Sequence, residues 1–348
     1  MPRRSHPRPG PTANAEESAA SCRRVAQIGD TPIRRIRLLI GGMSRSVHLK
    51  LEGENPGGSI KDRTALSLLQ SLERTGQLRT GGRLLESSSG NLAISLAMLA
   101  RDRGYRFTAV VDPKITGENL RRLDALGAET QRVEATDETG GYLLSRLARV
   151  RELLADDPVL VWTNQYSSPA NPEAHYLGTG PEILQQMAQP VDAVFVAVST
   201  GGTLAGIGRY FREASPHTRI IAVDARGSVA LGGAPGMRKL TGMGASRASE
   251  FATPELYDDL AFVGDSEAFA FCRALAAATG LKVGGSSGAC LAACARYLQF
   301  HRNVERAVCI CADRGEHYAS SIFSDSWLAE NGLEIGHRHL GSVSEIRC

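Results

Sequence analysis

The sequence predicts an α/β fold of parallel sheets covered by helices, and three observations carry that expectation. Short β-branched or apolar runs alternate with longer amphipathic ones along the chain. Three Gly/Ser-rich turns each lie just after a strand pattern and just before a helix pattern. A chain of 348 residues with 42% hydrophobic residues is long enough for two packed domains or one large one.

The strand patterns are runs rich in Val, Ile, Phe and Thr, bounded by polar or glycine-rich breaks. In order they are VHLKLE (47–52), RLLES (83–87), RFTAVVD (106–112), TQRVEA (130–135), LVWTNQ (160–165), DAVFVAVS (192–199), RIIAVDA (219–225), LAFVGD (260–265) and RAVCICAD (306–313). Between them, apolar residues recurring at helical spacing predict helices over 60–75, 90–103, 116–126, 140–155, 173–188, 203–214, 266–279 and 288–302. Residues 1–24 show neither period and read as a disordered tail.

Charge narrows the function classes. The tail holds five arginines against Glu16 and Glu17, a formal +3, while the remainder carries 35 basic and 35 acidic residues. That balance, without clustering, argues against a nucleic-acid-binding face. No apolar segment follows the N-terminal arginines and no run of about 18 apolar residues occurs, so a soluble, cytoplasmic protein without a membrane partner is expected. The seven cysteines lack CxxC pairs, so no metal site is expected. Strand alternation in RAVCICA puts Cys309 and Cys311 on one face as buried thiols.

The three turns offer distinct chemistry. Ser199, Thr200, Gly201, Gly202 and Thr203 present backbone amides and hydroxyls at the positive end of the helix LAGIGRYF, which suits a phosphate. A turn that is merely tight explains the same glycines. SSSGN (87–91) opens the apolar helix LAISLAMLA and suits a carboxylate, although serine-rich caps are common. GGSSG (284–288) also satisfies G-x-S-x-G, the elbow of serine hydrolases; Asp313 and His317 are the partners it would need in the 60 residues that follow. In ENPGGSIKDRTAL (54–66), Ser59 and Asp62 form a helix-capping pattern that sets Lys61 in the first turn. There the helix dipole disfavours an ammonium, and a neutral amine is a nucleophile for carbonyls. With a phosphate cradle elsewhere in the chain, the fitting aldehyde is pyridoxal 5'-phosphate; a solvated surface lysine is the alternative.

NPGGSIKDR, SSSGN, NQYSSPANPEAHY (164–176), STGGT and GGSSG, in this order, resemble the fold-type II pyridoxal phosphate enzymes of the cysteine synthase and cystathionine β-synthase family, and the likeness continues to about residue 330. The resemblance implies a tryptophan synthase β-like fold of two doubly wound α/β domains with the cofactor between them. The larger domain would take 25–54 plus 159–330, the smaller 55–158, with a C-terminal tail over 331–348 and a homodimeric assembly. It implies that Lys61 forms the Schiff base, that Asn91 meets the ring hydroxyl, that Ser199–Thr203 hold the phosphate and that Ser286 faces the pyridine nitrogen. Ser88, Ser89 and Gln165 would receive the substrate's α-carboxylate. A serine rather than an aspartate at the ring nitrogen favours β-replacement over transamination, with Lys61 as the base. Leu92 and Tyr166 stand where the family's cysteine synthases usually carry Thr and Phe. Those departures, with VVDPKITGENL, GGYLLSRLARVRELL, AVDARGSV, GMGASR and DRGEHY, are similar to one subgroup, the N-(2-amino-2-carboxyethyl)-L-glutamate synthases of 2,3-diaminopropionate biosynthesis, which serve siderophore and peptide antibiotic pathways. The substrates implied are O-phospho-L-serine and L-glutamate. Arg146 and Tyr166 are candidate partners for their anionic groups, unless Arg146 is one more solvated arginine. Sulfide as the acceptor, giving cysteine, is the other reading.

Overall fold

The computed structural model describes residues 24–137 and 141–348, so the expected tail lies, apart from Arg24, outside the described residues. It is an α/β protein with two sheets, and each of the nine predicted strands is present. The smaller sheet is parallel, in the order β5-β4-β3-β6, from β3 (Arg83–Ser87), β4 (Arg106–Val111), β5 (Glu129–Arg132) and β6 (Leu160–Trp162). The larger has the order β11-β1-β2-β10-β7-β8-β9. Its parallel part runs from β2 (Met43–Leu51) through β10 (Ala307–Cys311), β7 (Ala193–Ala197) and β8 (Arg219–Ala225) to β9 (Asp259–Val263). Antiparallel β1 (Ile33–Ile40) joins β2 across Gly41 and Gly42, both at positive φ as a two-residue hairpin requires.

Two strands go beyond the expectation. In β1, arginines at 34, 35 and 37 flank the buried Ile36, Leu38 and Ile40. The segment 331–348, expected as a tail, instead supplies β11 (Val343–Arg347), which pairs antiparallel with β1 and buries Val343 and Ile346.

The helices are α1 (Lys61–Arg74), α2 (Asn91–Asp102), α3 (Gly117–Ala125), α4 (Leu143–Asp156), α5 (Ala170–Ala174), α6 (Gly180–Met187), α7 (Gly202–Ala214), α8 (Asp265–Thr279), α9 (Gly285–Phe300) and α10 (Asp325–Glu330). Expected as one helix over 173–188, the chain there is α5, a π-helical turn over His175–Thr179, and α6. Among the described residues no helix is long and apolar enough to cross a membrane.

The central strands are apolar throughout because helices cover both faces. Along β10, Cys309 and Cys311 pack with Cys290 and Cys294 in one core, while Val308 and Ile310 belong to the core on the opposite face. These thiols are free and buried.

A buried ion network anchors α1 to the larger sheet. Arg63 forks onto Glu52 (2.7 and 2.9 Å) and onto Glu182 (2.6 Å twice), and Glu182 also takes Lys50 at 2.7 Å. Desolvation works against ionisation of Glu182, but the Arg63 and Lys50 contacts outweigh it and hold this carboxyl down to about 2. Arg63→Ala should therefore cost about 3–5 kcal/mol in denaturant unfolding, because it strands two carboxylates in the interior. A loss below about 1 kcal/mol would mean that Lys50 alone suffices.

Candidate active site

Two of the three predicted turns lie at the carboxyl edges of strands, whereas GGSSG (284–288), expected after a strand, follows α8 and opens α9 with only an isolated bridge at Val283 before it. SSSGN follows β3, STGGT follows β7, and the segment leading to Lys61 follows β2. Strand β10, beside β2 and β7, delivers Asp313 to the same region, where Asp313 bridges to Ser59. Parallel sheets gather ligand-binding groups at this edge.

Lys61 is the first residue of α1. Its backbone N–H donates to Ser59 Oγ at 3.2 Å, but Asp62 does not close the capping pattern on Ser59. Asp62 reaches back instead to Gly57 N–H at 2.5 Å, folding the ENPGGS segment over the helix start. The Lys61 amine has no hydrogen bond or ion pair among the described residues. Burial lowers its pKa to about 8, and the charge of Asp313 keeps it from falling further. Burial thus adds to what the helix start alone suggested, and near pH 8 about half of the amine is the neutral nucleophile.

The STGGT turn is a cradle closed from behind. Gly201 has φ +92°, and a Cβ there would lie 2.0 Å from Ser249 Oγ; at Gly202 it would lie 2.1 Å from Asn171 Oδ1. The N–H groups of Thr200, Gly201, Thr203 and Leu204 find no partner among the described residues, as a helix start leaves its first amides free. Asn171 ties the turn to the segment after β6, donating to Gln165 O at 2.7 Å and Thr200 Oγ1 at 3.1 Å. Ser199 Oγ donates to Gly244 O at 3.4 Å. This donor set, uncommitted and shaped by glycine, fits a phosphate.

His175, on the π-helical turn, was not singled out from the sequence. Its Nε2 stands 3.2 Å from both Thr64 Oγ1 on α1 and Thr203 Oγ1 on α7, and burial holds its pKa well below the ordinary value. A neutral imidazole here braces the lysine helix against the phosphate turn; π-turns recur at functional sites for such re-aiming.

At the SSSGN turn the hydroxyls are largely committed. Ser88 Oγ accepts from Gly90 N–H at 3.3 Å. Ser89 Oγ donates to Asp112 at 3.0 Å and receives Arg146 at 3.2 Å. Arg146 also pairs with Asp112 at 3.2 Å, and its Nε is buried without a partner, so it is turned into the site rather than solvated. Gln165 Nε2 donates to Ser87 O at 3.0 Å, leaving one N–H of that amide. The Tyr166 hydroxyl has no hydrogen bond among the described residues. Arg247, which sequence reasoning passed over, lies 5.6 Å from the centre of its ring.

On α9, Ser287 Oγ accepts from Ala312 N–H at 3.1 Å, whereas the buried Ser286 hydroxyl has no partner among the described residues. The serine hydrolase arrangement is not assembled: His317 Nε2 faces Arg122 at 3.1 Å, and Asp313 binds Asn91 and Tyr318.

A family model described as pyridoxal-phosphate dependent enzyme matches residues 25–313. The chain is 46% identical over 302 residues to the N-(2-amino-2-carboxyethyl)-L-glutamate synthase of Ralstonia nicotianae, covering 87% of this chain and 89% of that one. It is 43% identical over 309 residues to the enzyme of the same name from Cupriavidus metallidurans, covering 88% and 90%. Among solved structures, an O-ureido-L-serine synthase superposes with a TM-score of 0.79 at 31% identity, covering 88% of this chain and 98% of that one. A hydrogen sulfide-producing enzyme from Fusobacterium nucleatum gives 0.77 at 30%, covering 85% and 97%.

Proposed function

The chain belongs to the family of pyridoxal-phosphate dependent enzymes, and on that premise we propose that it joins O-phospho-L-serine to L-glutamate, releasing phosphate and forming N-(2-amino-2-carboxyethyl)-L-glutamate, a step toward L-2,3-diaminopropionate. The observation that carries this reading is the part-neutral Lys61 amine, unpaired among the described residues, set at one sheet edge with a glycine-lined amide cradle.

In this reading the amides of the Ser199–Thr203 turn and the start of α7 hold the cofactor's phosphate, the Asn91 amide meets its ring hydroxyl, and Ser286 Oγ faces its pyridine nitrogen. The cofactor, when bound, supplies an aldehyde that captures amino groups and a ring that accepts the electron pair left at the α-carbon. Lys61 Nζ takes the α-proton, which a group titrating near 8 can both accept and return. Ser286 sets a neutral hydroxyl at the ring nitrogen, which favours departure of the β-group over amino transfer. The Ser89 and Asn91 N–H groups, without partners among the described residues, and the remaining N–H of Gln165 would orient the α-carboxylate. Arg146, paired with Asp112, and Arg247, paired with Glu250, lie near Tyr166 and with its hydroxyl would meet a phosphate leaving group and a dicarboxylate acceptor. We take the two sheets as the two domains with the site between them and the assembly as a homodimer; β6 (Leu160–Trp162), a strand of the smaller sheet, carries that domain past the expected boundary at 158.

The test offers purified protein phosphoserine with glutamate or with sulfide and weighs the products by mass spectrometry. The expected result is the glutamate adduct with stoichiometric phosphate, and cysteine at least about tenfold more slowly. Cysteine as the dominant product would replace this reading with the sulfide one.

A further inference from the structure

Asp313 leaves the end of β10 and is 3% exposed. Its Oδ2 accepts from Asn91 Nδ2 at 2.7 Å and from Tyr318 Oη at 2.6 Å, while Oδ1 is buried with no partner among the described residues. The backbone is shaped around that orphaned oxygen: a Cβ at Gly284 would stand 2.0 Å from it. Asp313 is also the acidic group whose charge acts on the Lys61 amine, and the influence is mutual. One carboxylate therefore touches α2 through Asn91, acts on α1 through Lys61, and is braced by the 3-10 turn Gly315–Tyr318.

An ionised carboxylate only accepts hydrogen bonds. Facing Asp313, the Asn91 side chain must present its NH2 and turn its carbonyl away; one N–H is spent, and the second is left to point from the same nitrogen. A protonated or amide side chain at 313 would permit the opposite orientation, with a carbonyl oxygen where the donor stood. Tyr318, donating to the same oxygen, favours the ionised form against the burial that opposes it.

We propose that Asp313 is a positioning residue that sets which end of the Asn91 amide, and how much positive charge on the Lys61 amine, the site presents. This rests on the roles given above to Asn91 and Lys61, but its test stands apart from catalysis. The full-length chain is freed of cofactor and labelled with trinitrobenzenesulfonate across a pH series. Labelling at each of the five lysines (Lys50, Lys61, Lys114, Lys239 and Lys282) is read by peptide mass spectrometry. In the wild type the Lys61 midpoint falls near 8. In Asp313→Asn it drops by roughly one unit, since a nearby opposite charge has been removed, and pyridoxal phosphate binds about tenfold more weakly. Tyr318→Phe keeps the carboxylate but removes one of its donors, so the midpoint moves less than in Asp313→Asn. If Asp313→Asn does not fold, the smaller neutral Asp313→Ser serves the same measurement. A purely structural Asp313 would lower thermal stability without moving the Lys61 midpoint, and an unmoved midpoint with unchanged cofactor affinity overturns the proposal. Neither result bears on the reaction itself, which Lys61→Ala decides.

Discussion

Lys61→Ala should leave a folded protein that binds pyridoxal phosphate, lacks the yellow colour of a lysine-bound cofactor, and turns over at least about 10³-fold more slowly. Folding survives because the amine makes no contact whose loss leaves a buried partner unpaired, and because alanine is the better helix former at that position. Binding survives because the amide cradle and Asn91 belong to other elements. Turnover does not, because a positioned general base contributes about 10²–10⁴-fold. Lys50, which is fully buried, is held by Thr31 O, Glu182 and Gln186 in the ion network. Visible spectra, circular dichroism and initial rates check the three parts separately. A variant that keeps its yellow colour and more than a tenth of its rate would remove Lys61 from the chemistry.

Most of this site was readable in the sequence because each of its loops is self-contained. A strand end, two or three glycines or serines, and a helix start are contiguous, so spacing alone declares where the free amides fall. The lysine too is local, since its helix start is written in the preceding turn. What spacing does not show is which distant segment closes behind a loop. Asp313 was visible only as a possible partner for Ser286, yet its place comes from β10 lying beside β2, some 250 residues earlier, so that the carboxylate bonds Asn91 and its charge acts on Lys61. His175 is similar: its bracing of Thr64 and Thr203 depends on a π-turn that a 3.6-residue period does not contain. In the fold, β1 escaped because, although Arg35 and Arg37 alternate with the buried Ile36, Leu38 and Ile40, Arg34 and Leu39 fall out of phase and blur the two-residue period. β11 escaped because its inward residues, Val343 and Ile346, are three apart across a register shift and break the two-residue period of a strand. Sheet order likewise follows from burial that no single segment encodes.

The phosphate cradle makes the second strong expectation. Gly201→Ala should weaken pyridoxal phosphate binding by roughly 100-fold, about 2.7 kcal/mol, while the chain still folds. Two costs act at this position. The backbone is held at φ +92°, where an L side chain costs on the order of 1–3 kcal/mol. The new methyl would also stand 2.0 Å from Ser249 Oγ, which has no easy retreat: that hydroxyl donates to Thr200 O at 2.7 Å and accepts from Phe251 and Ala252 N–H. The turn can relieve both only by rotating its peptides, and those peptides carry the N–H groups that converge on the phosphate. The loss therefore appears as cofactor affinity, measured by fluorescence titration of the cofactor-free chain, more than as global stability. Gly232→Ala, also at positive φ but with open space around its Cβ, is the control: it carries the backbone strain without the collision or the cradle, and should bind cofactor as the wild type does. Equal affinity in Gly201→Ala and the control would show that the phosphate is held elsewhere.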